Sequence, residues 1–134
     1  MWIFHYNRLS DRATKSVQRL IELGVCQPAD IKRARDEAVK FSSPEYSAKL
    51  RRAKRLLGAA GDPTRIKILL LLSKRDMCVC ELESALGLPQ ATASHHLSLL
   101  EQADLVERDR LERWVFYRVR QSSTIDFLKN LMAQ

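Results

Sequence analysis

Residues 62–103 are punctuated so closely that few folds can accept them. Asp62 followed by Pro63 marks a helix start, because a carboxylate caps the free N–H groups and proline has a suitable fixed φ and no N–H to leave unpaired. Ile66, Leu69, Leu70 and Leu72 give this short helix an apolar face that has to be buried. A second short helix over residues 80–86 is stopped by Gly87, and Pro89 opens a third that runs through Leu97 and Leu100 to about Ala103. A break of a residue or two separates the last pair. Two short helices joined by a tight turn containing glycine are the outline of a helix-turn-helix.

Beyond Ala103 the period changes from helical to alternating. Residues 105–110 and 113–119 set Val106 beside Arg108, and Val115, Tyr117 and Val119 against Trp114, Phe116 and Arg118, which predicts two strands of a hairpin. A closing helix starts at Ser122 or Ser123 with Ile125, Leu128 and Met132 on one side. Upstream, Ser10 is placed to cap a helix carrying Val17, Leu20 and Ile21 and ending at Gly24, and Pro28 opens another with Ile31, Ala34, Ala38 and Phe41. Ser42, Ser43 and Pro44 break the chain. From Glu45 a basic amphipathic helix aligns Tyr46, Leu50, Ala53 and Leu57, with Lys49, Arg51, Arg52, Lys54 and Arg55 elsewhere, and ends at Gly58 or Gly61. The expected fold is mainly α with a small β-hairpin: a winged helix-turn-helix domain over residues 45–134, with an N-terminal helical extension over 1–44.

A chain of 134 residues has room for one domain and an appendage, which excludes a multi-domain enzyme. No window approaches the roughly 18 apolar residues of a membrane span, so a soluble, cytoplasmic protein without a membrane partner is expected. The net charge of +7 points to an anionic partner, nucleic acid first. The charge is uneven, since residues 77–104 hold Glu81, Glu83, Glu101 and Asp104 but no Lys or Arg. Neither a Gly-rich phosphate loop nor a nucleophile elbow nor a metalloprotease motif occurs, so no enzymatic activity is expected.

Four fragments, GDPTRIKILLLL at 61–72, MCVCEL at 77–82, ASHHL at 93–97 and WVFYR at 114–118, stand in order on the elements just derived. In these the sequence resembles the ArsR/SmtB family of metal-responsive bacterial and archaeal repressors, over about residues 56–119. The resemblance implies a homodimeric winged-helix repressor that leaves its double-stranded operator DNA when a metal or metalloid binds.

In a helix-turn-helix the second helix presents its early residues to base edges in the major groove. Here they are Gln90, Thr92, Ser94, His95 and Ser98. Gln90 suits bidentate bonding to adenine, and the hydroxyls donate or accept. His95 stands where many members of the family carry arginine and lacks that residue's guanine-reading fork. His96, beside Leu97 and Leu100, is expected to pack on the core side. Phosphate contact has to come from the wing, where Arg108, Arg110 and Arg113 flank the hairpin turn, with Arg51, Arg52 and Lys67 as further cations. Glu107, Asp109 and Glu112 interleave with these arginines. The wing also lacks the glycine many relatives place at its turn.

Cys78 and Cys80 are the most informative chemistry in the chain. Residues two apart diverge by roughly 200° on an α-helix but share a side in extended chain, so convergent sulfurs require Cys78 to precede the helix. Thiolates at a helix N-terminus are favoured by its dipole. Soft ions select them, and two sulfurs supply half of a tetrahedral Zn or Cd site or two-thirds of a trigonal one. The resemblance names the sources of a third ligand. Arsenic sensors add a cysteine three residues after the pair, where this chain has Glu83, and cadmium and lead sensors use an N-terminal extension, where it has Cys26. Cys26 is equally placed to be a small core residue. The expected inducer is a thiophilic ion: As(III), Sb(III), Cd, Pb or Zn. The family's zinc site on the closing helix is not expected, since residues 121–134 hold Asp126 and no His. A redox- or sulfur-sensing repressor is one alternative, although a Cys-x-Cys disulfide closes a small ring whose strain argues against the simplest version. The other is a winged helix that contacts protein.

Overall fold

The computed structural model describes residues 15–134, which divide into two compact units, the first ending at Ala48 and the second running from Lys49 to Gln134. The Ser10 cap lies outside the described residues. In the first unit helix α1 covers residues 15–22. Gly24 ends it in the left-handed region at φ +70°, with its N–H donating to Ile21 O at 2.9 Å and that of Val25 to Leu20 O at 2.9 Å. These two bonds form the terminator that glycine makes cheap. Helix α2, Pro28–Phe41, opens on its proline, and Ser43 Oγ accepts from Tyr46 N at 3.2 Å to cap α3, Pro44–Ala60. No described residue of the first unit is buried.

The second unit holds the core. Asp62 Oδ1 accepts from Arg65 N at 3.0 Å and caps α4, Pro63–Leu72, whose Ile68 and Leu69 are fully buried. After β1, Met77–Cys78, come α5, Val79–Leu86, and α6, Gln90–Gln102. Gly87 separates these helices at φ +63°, and Pro89 serves as N-cap rather than as the first helical residue. The strands β2, Val106–Leu111, and β3, Trp114–Val119, and the closing helix α7, Ser122–Met132, complete the unit.

The sheet is antiparallel in the order β1-β3-β2. Its first strand has no counterpart in the sequence pattern, because two residues are too few to show alternation. Met77 pairs with Tyr117 and Cys78 with Phe116, while β2 and β3 pair from Val106 with Val119 to Leu111 with Trp114. The core draws on every element of the unit: Leu82 from α5, Leu97 and Leu100 from α6, Leu105 and Val106 beside the wing, and Ile125 and Leu128 from α7. Met132 is exposed, so the α7 stripe continues past the core. Helices, helix-turn-helix, hairpin and helix make a winged helix-turn-helix.

Candidate nucleic-acid interface and cysteine pair

Ala93, Leu97 and Leu100 bury one side of α6, which turns Gln90, Ser94, His95 and Ser98 outward and leaves Thr92 half-buried. Ser98 Oγ accepts from Gln102 Nε2 at 3.2 Å one turn on. His96 behaves differently from His95. Its side chain is 15% exposed, with Nδ1 3.4 Å from Arg65 Nη1 and 4.0 Å from Asp62 Oδ1. The α6 histidine thus packs onto the N-terminal turn of α4. Arg65 also donates through Nε to Ala59 O. The Arg65 backbone N–H holds the Asp62 carboxyl below its ordinary range, helped by the charges of Arg65 and His96.

On the wing, Arg108, Arg110 and Arg113 are all exposed, yet they are engaged differently. Arg108 Nε lies 3.1 Å from Glu101 Oε1, tying β2 to α6. Arg110 Nε donates to the Glu112 carbonyl at 3.1 Å, and Arg113 stands over the Trp114 ring at 5.1 Å. Of the neighbouring acids, Glu107 is committed to Arg118 at 2.7 Å. Glu112 occupies the turn at φ +54°, the left-handed position that glycine would hold without strain. Arg51, Arg52 and Lys67 are exposed as well, and Arg52 Nη2 reaches Gln121 Oε1 at 3.4 Å.

The chain changes from extended to helical between Cys78, at φ −79° and ψ 165°, and Val79. This change brings the two sulfurs together. Cys78 and Cys80 are disulfide-bonded with their Cα atoms 5.4 Å apart, a separation ordinary for the bond. The ring that strain was expected to disfavour is therefore closed here, since the extended-to-helix step aims both side chains the same way. Cys78 is buried and Cys80 exposed. Glu81 Oε2 accepts from Cys78 N at 2.9 Å, while Oε1 pairs with Arg75 Nη2 at 2.8 Å. The Arg75 bond first, then the Cys78 N–H, holds the Glu81 carboxyl below its ordinary range. The role of Glu81 was legible in principle: Cys-x-x-Glu has the spacing of a capping box, with cysteine where serine usually stands.

As donors for a soft ion, reduced Cys78 and Cys80 fit by type and convergence. They are two donors. Among the described residues no group of three His, Cys, Asp or Glu side chains is poised for a metal, and Cys26, a free thiol, lies half-buried in the first unit. Glu83 is half-buried on α5. No helix among the described residues is long and apolar enough to cross a membrane.

A helix-turn-helix with an exposed polar second helix and a cationic hairpin beside it defines the winged-helix transcriptional regulators. Residues 62–108 match the family described as bacterial regulatory protein, arsR family. An HTH-type transcriptional regulator of Methanocaldococcus jannaschii is 38% identical, across 60% of this chain and 92% of that protein. The HTH-type transcriptional repressor SmtB of Mycobacterium tuberculosis is 40% identical, across 62% of each chain. Among solved structures, the homodimeric winged helix-turn-helix domain of a possible ArsR-family regulator from Mycobacterium bovis superposes with a TM-score of 0.63 at 26% identity, covering 69% of this chain and 85% of that one. The chain belongs to the ArsR family of helix-turn-helix regulators.

Proposed function

We propose that this protein is a homodimeric repressor that binds operator DNA through α6 and the wing and leaves it when a thiophilic metal or metalloid engages Cys78 and Cys80. Gln90, Thr92, Ser94, His95 and Ser98 read base edges; Arg108, Arg110 and Arg113 meet the backbone. The observation that carries the switch is the position of Cys78, which is at once the N-cap of α5 and the β1 partner of Phe116 on β3. Any ligand on its sulfur acts on the first helix of the helix-turn-helix and on the wing together. Cys78 and Cys80 would hold the ion as thiolates, with Cys26, Glu83 or solvent as the further donor, and the ion would supply soft Lewis-acid ligation of those thiolates. The chain's own part is to converge the thiols and to hold the Cys78 backbone through Glu81.

The disulfide favours a second reading, a repressor switched by closing and opening that bond. Reduced, operator-bound protein titrated without oxygen with arsenite, antimonite, Cd, Pb and Zn, and separately with an oxidant, tests both. Release by an ion at stoichiometric addition supports the first; release by the oxidant alone supports the second. Retention under every addition overturns the sensor, and a chain that binds no DNA overturns the repressor.

A further inference from the structure

The tip of the wing carries side chains that neither the core nor ion pairing explains. Leu111 and Trp114 are directly paired where the hairpin turns, and they are 67% and 46% exposed. Paired residues on neighbouring strands share a face with Cβ atoms about 5 Å apart, so these two form one apolar patch. Single exposed apolar residues are ordinary; a leucine and a tryptophan joined at the end of a hairpin are not. Arg113 rests on the Trp114 ring, and Arg110 is tied to the Glu112 carbonyl. Among the described residues neither arginine has a carboxylate partner, unlike Arg108 and Arg118. The tip is an apolar pair held between two cations.

We propose that this tip enters the minor groove of DNA as a wedge, with Leu111 and Trp114 packing on the faces of a base step that opens to admit them and Arg110 and Arg113 meeting the flanking phosphates. The inference rests on the reading of α6 as a DNA-contacting helix. Charge complementarity selects the occupant, since a duplex offers an apolar base stack between two anionic rails. Minor-groove base edges present mainly hydrogen-bonding groups, which neither a leucine nor an indole face satisfies. Apolar side chains gain only from the faces exposed when a step unstacks, and such wedges kink duplexes by roughly 20–90°. The tip is thin enough for this, because the strands, about 4.8 Å apart, are closed just beyond this pair by the two-residue turn of Glu112 and Arg113.

Trp2 and Trp114 are the two tryptophans of the chain, so the full-length Trp2→Phe protein reports on Trp114 alone. The probe is a short duplex that the protein itself selects from a random-sequence pool, labelled at both ends for energy transfer. The expected result is a shortened end-to-end distance and quenched Trp114 emission on binding. In the unlabelled assay Leu111→Ala and Trp114→Ala straighten the duplex and weaken binding about tenfold or more, with the salt slope unchanged because no charge is removed. Leu111→Ser stands in where Trp114→Ala unfolds the hairpin. A straight duplex bound equally well by these variants, or Trp114 emission unchanged at saturation, gives the tip to a protein surface and overturns the wedge alone. Failure to select any duplex overturns the DNA-binding reading and the wedge with it.

Discussion

At single residues, the conformations of Asp62 and Glu112 make different demands. Asp62 is held as a carboxylate by the Arg65 N–H, and Glu81 by Arg75 and the Cys78 N–H, so both titrate below their ordinary values. A depressed carboxylate contributes stability that is complete above its unfolded pKa, about 4, and is lost as the pH falls through the lower folded value. Thermal unfolding of the wild type should therefore steepen below about pH 4, and Asp62→Asn should flatten that limb while lowering the neutral-pH Tm. Parallel acid limbs would exclude the cap as a source of pH dependence. Glu112 instead sits where a Cβ is strained, so Glu112→Gly should raise stability by about 0.5–1 kcal/mol in denaturant unfolding. A loss would mean the Arg110 bond to its carbonyl depends on the side chain. The absence of a turn glycine was visible in the sequence, but the shape adopted without it was not. Likewise, the assignment of His96 to the core side follows from Leu97 and Leu100, whereas its neighbours Asp62 and Arg65 come from a helix thirty residues away and leave no local pattern.

Among the elements, α4, α5 and α6 were legible because their boundaries are chemical: Asp62, Pro63, Gly87 and Pro89 act through the backbone wherever the helices pack. The strand β1 was illegible because its two residues exist as a strand only through β3. It is also the element that joins the cysteines to the wing, so the cysteine pair was visible in sequence but its attachment to β3 was not. Two predictions separate the elements. Gln90→Ala or Ser94→Ala on α6 should cost about 1–3 kcal/mol on a selected duplex with little change on random DNA, whereas Arg110→Ala or Arg113→Ala should weaken both and flatten the salt slope. Equal losses in all four variants, measured by anisotropy across a salt series, would remove α6 from its reading role. At the start of α5, Cys78→Ser and Cys80→Ser should fold and bind DNA yet fail to release it. A hydroxyl is nearly isosteric but is not a soft ligand, and a ligand weakens DNA binding only by favouring the low-affinity state, typically by about 1–3 kcal/mol. Normal release by arsenite or Cd from both variants would remove the pair from sensing.

For the whole molecule, the unresolved demand is apolar surface. Within the second unit a groove of about 410 Å³ runs between α3 and α7, lined by Ala53, Leu56, Leu57, Ala60, Phe127 and Leu128. Leu57 and Phe127 are 59% and 53% exposed, and Leu131 and Met132 extend the stripe along α7. A winged-helix core is complete without them, so their burial requires a second surface, and a self-complementary patch is satisfied by a second copy about a twofold axis. In the proposed homodimer, two α6 helices related by that axis would meet successive major grooves about 34 Å apart, and tight operator binding would then depend on dimerisation. Phe127→Glu places a charge in the groove without touching the buried Ile125 and Leu128. The variant should keep its helical circular dichroism, sediment as a monomer at micromolar concentration, and bind a selected duplex with about half the wild-type salt slope, because half the phosphate contacts remain. A Phe127→Glu protein that still sediments as a dimer with unchanged operator affinity would move the interface away from α3 and α7. The exposed Leu20, Leu23, Val25, Val39 and Phe41 of the first unit would then be the surface to test.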